Sequence, residues 1–297
     1  MIEAMKKQKT SKAASSIALL HLSVMLFGFS AVLGQFVNAP AVIIAGGRVV
    51  FSSLTLLIFS LVTKSSLKLK SKKDYGIALF TGVILAIHWT TFFQSIQSST
   101  VAIGTITFSA FPLFLTFLEP LVFHEKLRIQ SAISALVLLL GVGITIPAFS
   151  MENETTIGIV WGLISALAYA VMSLTNRYLS KSYESKTICL YEQGTAAVVL
   201  LPALFLIQTS WTVQNIAGIA AIGLICTALA HSLYVAAQRN VKAQTAGVIS
   251  GMETLYGIVF AFLFLKEAPG LRELIGGAII LGVAVFSSLT SSKNTLS

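Results

Sequence analysis

The chain has 297 residues, of which 56% are apolar and 10% are charged. Soluble domains carry about 45–50% apolar and about 25% charged residues, so a water-covered fold of this size is excluded: there are too few charges to dress its surface. A net charge of +9 would suit a nucleic-acid partner in a soluble protein, but in a chain this apolar the excess Lys and Arg belong to loops that set its orientation in a bilayer, and no nucleic acid is expected.

Taken in chain order, a basic start (Lys6, Lys7, Lys9, Lys12) gives way to an apolar run over 17–37. The apolar region of a cleaved signal peptide is about 7–15 residues. This longer run therefore reads as a retained first helix behind a cytoplasmic tail at 1–16. A helix that crosses a bilayer needs roughly 20 mainly apolar residues. Such runs follow at 41–62, 75–96, 101–123, 129–149, 157–179, 187–208, 215–236, 244–265 and 274–290, with a second cytoplasmic tail at 291–297. The connections are too short to hold a soluble domain. Backbone polar groups in lipid must be paired within their own segment, which makes helices the expected element. The fold class expected is all-α integral membrane, with ten transmembrane helices.

The basic residues orient this arrangement. With the N-terminus in the cytoplasm, 17 of the 20 Lys and Arg fall in cytoplasmic segments: the first tail, the 64–73 loop, Lys126 and Arg128, Arg177 to Lys186, Arg239 and Lys242, and Lys293. Only Lys266 and Arg272 fall outside, and Arg48 lies within the second helix. One helix more or fewer would move every later loop to the other side and destroy the asymmetry. Both termini are expected in the cytoplasm, the 151–156 loop outside, and the chain in the cytoplasmic (inner) membrane.

Ten helices divide into a first five-helix repeat at 17–149 and a second at 157–290. Sliding the chain against itself by 142 residues aligns Ser23 with Ser165, Gly76-Ile77-Ala78 with Gly218-Ile219-Ala220, Phe92-Phe93 with Tyr234-Val235, and Phe123-His124-Glu125 with Leu265-Lys266-Glu267. An odd number of helices per repeat turns the second copy upside down, and inverted repeats with a site at their interface are a recurring transporter design.

Pro112 near the middle of the fourth run, Glu125 and Glu267 just after the fourth helix of each repeat, and the Gly-rich helices that follow (Gly141-Val142-Gly143, and Gly276-Gly277 with Gly282) carry a resemblance to the drug/metabolite transporter superfamily, in particular its EamA-type members. It extends over about 17–290. One departure is Glu253-Thr254, where Glu-Pro is common, and this leaves the ninth helix without the proline that would bend it. The resemblance implies two five-helix repeats and transport of amino acids, nucleotide-related compounds, cofactors or other metabolites.

Ionisable groups inside the bilayer are the informative positions. A charge at a helix centre costs roughly 2.5–3.5 kcal/mol on insertion scales and so faces a cavity or a partner. Arg48, Glu192 and Glu253 lie well inside, joined by His88 and His231. At 1.5 Å per residue, Arg48 and His88 fall about 10 Å below the outer face, Glu253 near the midplane, and Glu192 and His231 within about 8 Å of the inner face. This depth reading gives an outer polar layer, an inner one, and Arg48 as the partner of Glu253. Trp89, Tyr169 and Tyr234 place polar tips away from the interfaces and need partners there, so they join the candidate substrate-binding or coupling residues. Glu119 is read as snorkelling, Glu125 and Glu267 as helix-end charges, and Pro112 as a helix bend.

Cys189 and Cys226 sit in apolar runs without metal-ligand spacing or a disulfide framework. They read as small buried hydrophobes, and neither a metal nor a cofactor is expected. No GxxxxGK[ST], HExxH or GxSxG motif occurs, which argues against direct ATP hydrolysis and against a membrane-embedded enzyme. The expected function is secondary active transport of a small metabolite by alternating access, with a proton as candidate coupling ion. A membrane enzyme and a passive channel are the alternatives. The partners are a small-molecule substrate and the lipid bilayer, with a homodimer allowed.

Overall fold

The structure, a computed structural model, describes residues 2–124, 129–145, 153–237 and 243–293. Every regular element among them is a helix: α1 (Ile2–Gln35), α2 (Ala41–Val62), α3 (Lys72–Gln97), α4 (Val101–Phe108), α5 (Phe111–Phe123), α6 (Ile129–Thr145), α7 (Glu154–Leu179), α8 (Ser185–Leu206), α9 (Val213–Gly223), a π-helical stretch (Leu224–Leu229), α10 (Ala230–Ala237), α11 (Ala243–Leu265) and α12 (Leu271–Lys293).

Most helices start earlier than the apolar runs suggest. Ser71 caps α3 by accepting from the Asp74 N–H at 3.1 Å, Asn153 caps α7 through the Thr155 N–H at 2.9 Å, and Thr212 caps α9 through the Asn215 N–H at 3.2 Å. Hydropathy marks the apolar body of a helix, whereas its capped first turn is polar. For the same reason α1 runs through the expected tail at 1–16 from Ile2 onward: the stretch has neither Gly nor Pro and is rich in good helix formers.

Two runs are not single α-helices. The fourth breaks at Ser109–Ala110 into α4 and α5, with Pro112 in the first turn of α5. A proline there loses no hydrogen bond and fits the helix φ, so the bend falls just before it. The eighth is α9, the π stretch and α10 in series. Thr227 Oγ1 donates to the Ile222 carbonyl five residues back at 2.8 Å. In contrast α11 runs unbroken through Glu253-Thr254. Thr254 Oγ1 donates to the Thr105 carbonyl at 3.0 Å and contacts Ser109 Oγ, tying α11 to the break between α4 and α5.

α3 lies along α7, α1 along α11 and α10, α2 along α8, and α6 along α12. Exchanging the two halves maps α3–α7 onto α10–α1, maps α4 and α5 on α7 onto α11 on α1, and returns α2–α8 and α6–α12 to themselves. The left-handed backbone of His124 (φ 54°) recurs at Lys266 (φ 58°), at the same 142-residue offset as the sequence matches. Close approach of the halves requires glycine at Gly28, where a Cβ would come within 2.8 Å of the Gly257 nitrogen and 2.9 Å of the Glu253 carbonyl oxygen.

Seven helical stretches among the described residues are long and apolar enough to cross a membrane, and Ile249–Leu265 is a shorter apolar one. The fold is inside-out relative to a soluble protein. Arg48, Glu192, Gln193, Ser95, Thr105 and Ser165 are buried, whereas Ile58, Leu61, Leu140, Val198, Phe205 and Phe262 are exposed.

Candidate functional site

A cavity of about 20 Å³ lies between the halves, with Arg48, His88, Trp89, Tyr169, His231 and Glu253 in its wall. Phe27 and Ser30 on α1, Phe92 on α3, Phe108 on α4 and Met172 on α7 complete it. Its volume is about that of one water molecule.

Arg48 reaches the cavity from α2 and is 2% exposed. Its Nε donates to Thr227 Oγ1 at 2.9 Å and its Nη2 to the Cys226 carbonyl at 3.4 Å. Both acceptors belong to the π stretch. The guanidinium stacks over Trp89 at 4.0 Å from the ring centroid, with Phe93 at 5.3 Å. A desolvated cation–π contact contributes about 2 kcal/mol, so Trp89 both packs against the charge and holds it flat. Gly223 lets α9 approach α2 at this point, since a Cβ there would stand 2.8 Å from the Arg48 carbonyl oxygen.

His88 Nδ1 lies 3.1 Å from the Ser165 carbonyl and 2.8 Å from Ser165 Oγ, whose hydroxyl donates to the His88 carbonyl at 3.1 Å. A carbonyl only accepts, so in the contact with the Ser165 carbonyl Nδ1 acts as the donor. The ring is wedged between Tyr169 at 5.1 Å and Phe108 at 5.3 Å. Tyr169 in turn stands edge-on to Phe108 at 5.0 Å and Phe111 at 4.9 Å. Glu253 joins the cavity wall from α11 at 7% exposure. No ion pair to Glu253 forms among the described residues, although Arg48 lines the same cavity.

Two candidate residues stand behind this wall. Glu192 is fully buried, and its Oε2 lies 3.0 Å from His231 Nε2. Tyr234 hydrogen-bonds Ser250 at 2.8 Å and packs on Phe27 at 5.9 Å. The expected separation into outer and inner layers is not what the geometry shows. Arg48, His88 and His231 share one cavity, and Trp89 bridges them, with its ring 6.0 Å from that of His231. Glu119 does not simply snorkel but pairs with Arg177 between α5 and α7.

Glu267 Oε2 accepts from the Val101 N–H at 3.2 Å and so satisfies the start of α4. It lies beyond the end of α11. Burial raises its carboxyl above the ordinary carboxylate range, and the Val101 N–H pulls it back down. Glu125 falls outside the described residues. Thr227 and Ser30 have no signal in hydropathy or spacing, and Ser165 shows only as the repeat match of Ser23: hydroxyls are common in such helices, and the tertiary contacts single these out.

The EamA-like transporter family matches residues 14–146 and 156–289, one match for each half. An uncharacterized transporter of Archaeoglobus fulgidus is 24% identical over 268 residues, covering 89% of this chain and 93% of that protein. The pseudopaline exporter CntI of Pseudomonas aeruginosa is 25% identical over 269 residues, covering 89% and 93%. A solved crystal structure shares the fold at a TM-score of 0.70 and 14% identity, over 94% of this chain and 98% of that one. With two matches that together span most of its length, the chain belongs to the EamA-like transporter family.

Proposed function

We propose that this transporter is a secondary active carrier that moves a small metabolite bearing an anionic group by alternating access, coupled to a proton through Glu253. In this reading the ten helices are ten membrane spans, arranged as two inverted five-helix repeats with both termini in the cytoplasm. The basic asymmetry of the loops supports the orientation, and the exchange symmetry of the helix contacts supports the repeats.

The observation that carries the reading is that Arg48 and Glu253 both line one cavity walled by the two halves. Arg48 is pre-ordered by Thr227, Cys226 and Trp89, with its remaining donors available for a carboxylate or phosphate-like group. Glu253 is a carboxylate with no fixed counter-ion among the described residues, and a shut cavity forces such a group to take up a proton or a cation. Opening to either side re-solvates it and lets the proton leave. Ligand pockets run to about 300–1,000 Å³, far more than the 20 Å³ here, so the cavity must widen to admit a metabolite. Rocking of the halves is what enlarges the cavity.

The purified protein in liposomes tests this reading. Anionic metabolites selected by thermal shift, in which binding raises the melting temperature, are expected to accumulate against their gradient when a proton gradient is imposed. A protonophore should abolish the accumulation. Flux that only ever equilibrates the substrate, gradient or not, would make the protein a passive channel.

A further inference from the structure

A second group of chemistry-bearing side chains is buried behind the cavity wall. Cys189 and Glu192 stand three residues apart on α8 and therefore share a face. His231 meets them from α10. A π turn holds one residue more than an α turn, so the stretch at Leu224–Leu229 turns the following α10 relative to a continuous α-helix. One ligand atom from each of Cys189, Glu192 and His231 lies within 4.8 Å of the other two. Cys189 and Glu192 are 0% exposed and His231 is 3% exposed. Glu192 Oε2 engages His231 Nε2 at 3.0 Å, yet Oε1 of the same carboxylate has no hydrogen-bond partner among the described residues. An oxygen sealed from water with its lone pairs unused costs about 1–3 kcal/mol, and more when the group is charged. Such a group calls for an occupant.

We propose that Cys189, Glu192 and His231 form a binding site for one divalent transition-metal ion of the Zn²⁺ type. Thiolate, imidazole and carboxylate are the three ligand types that this ion takes. A set with one oxygen donor, one nitrogen and one sulfur does not suit Ca²⁺ or Mg²⁺, which take oxygen. Charge selects the same occupant. A thiolate and a carboxylate sum to −2, and a divalent cation with a neutral imidazole brings the site to zero, as an apolar surrounding requires.

Tetrahedral bonds of about 2.0–2.3 Å place ligand atoms roughly 3.3–3.8 Å apart, so the 3.0 Å contact of Glu192 Oε2 with His231 Nε2 opens slightly and any edge near 4.8 Å closes by about 1 Å to complete three corners. The fourth corner is left for a water or a substrate atom. His231 also lines the central cavity, which gives the ion its way in. Metal binding needs carboxylate, neutral imidazole and thiolate, so any proton these groups hold leaves to solvent as the ion enters. The site uses neither Arg48 nor Glu253, shares His231 with the cavity wall, and is tested by metal retention rather than by transport.

The full chain, purified in detergent with any affinity tag removed, is stripped with a chelator and dialysed against Zn²⁺ or Co²⁺. About one metal per chain should be retained. The cobalt form should show the near-ultraviolet charge-transfer band of a thiolate ligand. Cys189→Ser should lose the band, and His231→Gln should lose the bound equivalent. Absence of retained metal, absence of the band in the wild-type cobalt form, or equal retention by wild type and both variants would each overturn the assignment. The wild-type readouts decide the matter even if a variant fails to fold.

Discussion

Replacing Arg48 by leucine is expected to reduce transport to background while the protein still folds. Arg48 is a buried cation in the middle of an apolar segment, a placement that costs free energy and persists when function requires it. Its loss removes the charge-assisted hydrogen bonds to an anionic substrate. Each is worth about 1.5–3 kcal/mol, so substrate affinity should fall by about 10- to 100-fold for each one lost. The fold should survive because the partners are not stranded. Thr227 Oγ1 keeps its own bond to the Ile222 carbonyl at 2.8 Å, and leucine still packs on Trp89. Arg48→Lys is the sharper variant. It keeps the charge but loses the flat fork that Trp89, Thr227 and Cys226 hold in place, and it should retain weakened transport. Uptake into liposomes together with thermal unfolding reads both effects. Normal uptake by the leucine variant would reduce Arg48 to a structural role.

For Glu253→Gln the expected result is a separation of two activities. Glutamine fills the same space and cannot carry or release a proton. If Glu253 is the coupling group, concentrative uptake driven by a proton gradient should be lost, and exchange of labelled for unlabelled substrate should continue close to the wild-type rate. Loss of both activities, with weaker binding, would mean instead that the carboxylate holds a cationic part of the substrate. Survival of both would leave Glu253 a brace for α11, at the point where Thr254 already ties that helix to Thr105 and Ser109. Counterflow and gradient-driven uptake on the same liposome preparation separate the three results.

The helices were legible because a bilayer demands long apolar runs. The ionisable residues worth attention were legible for the same reason: in an apolar segment a charge stands out. What escaped was whatever depends on azimuth or on contacts between helices. Rise per residue gives a height but neither tilt nor facing, so it separates an outer Arg48 and His88 from an inner His231, although Trp89 contacts all three around one cavity. The same depth count set Arg48 near Glu253. It could not show that the arginine's hydrogen bonds go to Thr227 and Cys226, because the π stretch that presents them has no signature in composition. Cys189 is the small buried residue its apolar run implies, and its nearness to His231 could not be read because that residue comes from another helix. Pro112 was legible as a point of interruption, and its chemistry explains why the break precedes it.

Reactivity of a cysteine placed at Ser30 tests most directly whether the cavity is the transport route. Ser30 is a small side chain in the cavity wall, 2% exposed, and its hydroxyl has no partner among the described residues, so Ser30→Cys disturbs little. Cys189 and Cys226 are fully buried, and labelling of the wild type sets their background. A small charged thiol reagent that does not cross the membrane should modify Ser30→Cys when added from either side of the bilayer. Saturating substrate should protect the site from both sides, and modification should stop transport. A cysteine at this position that reacts from neither side, or that reacts without affecting transport, would contradict the account.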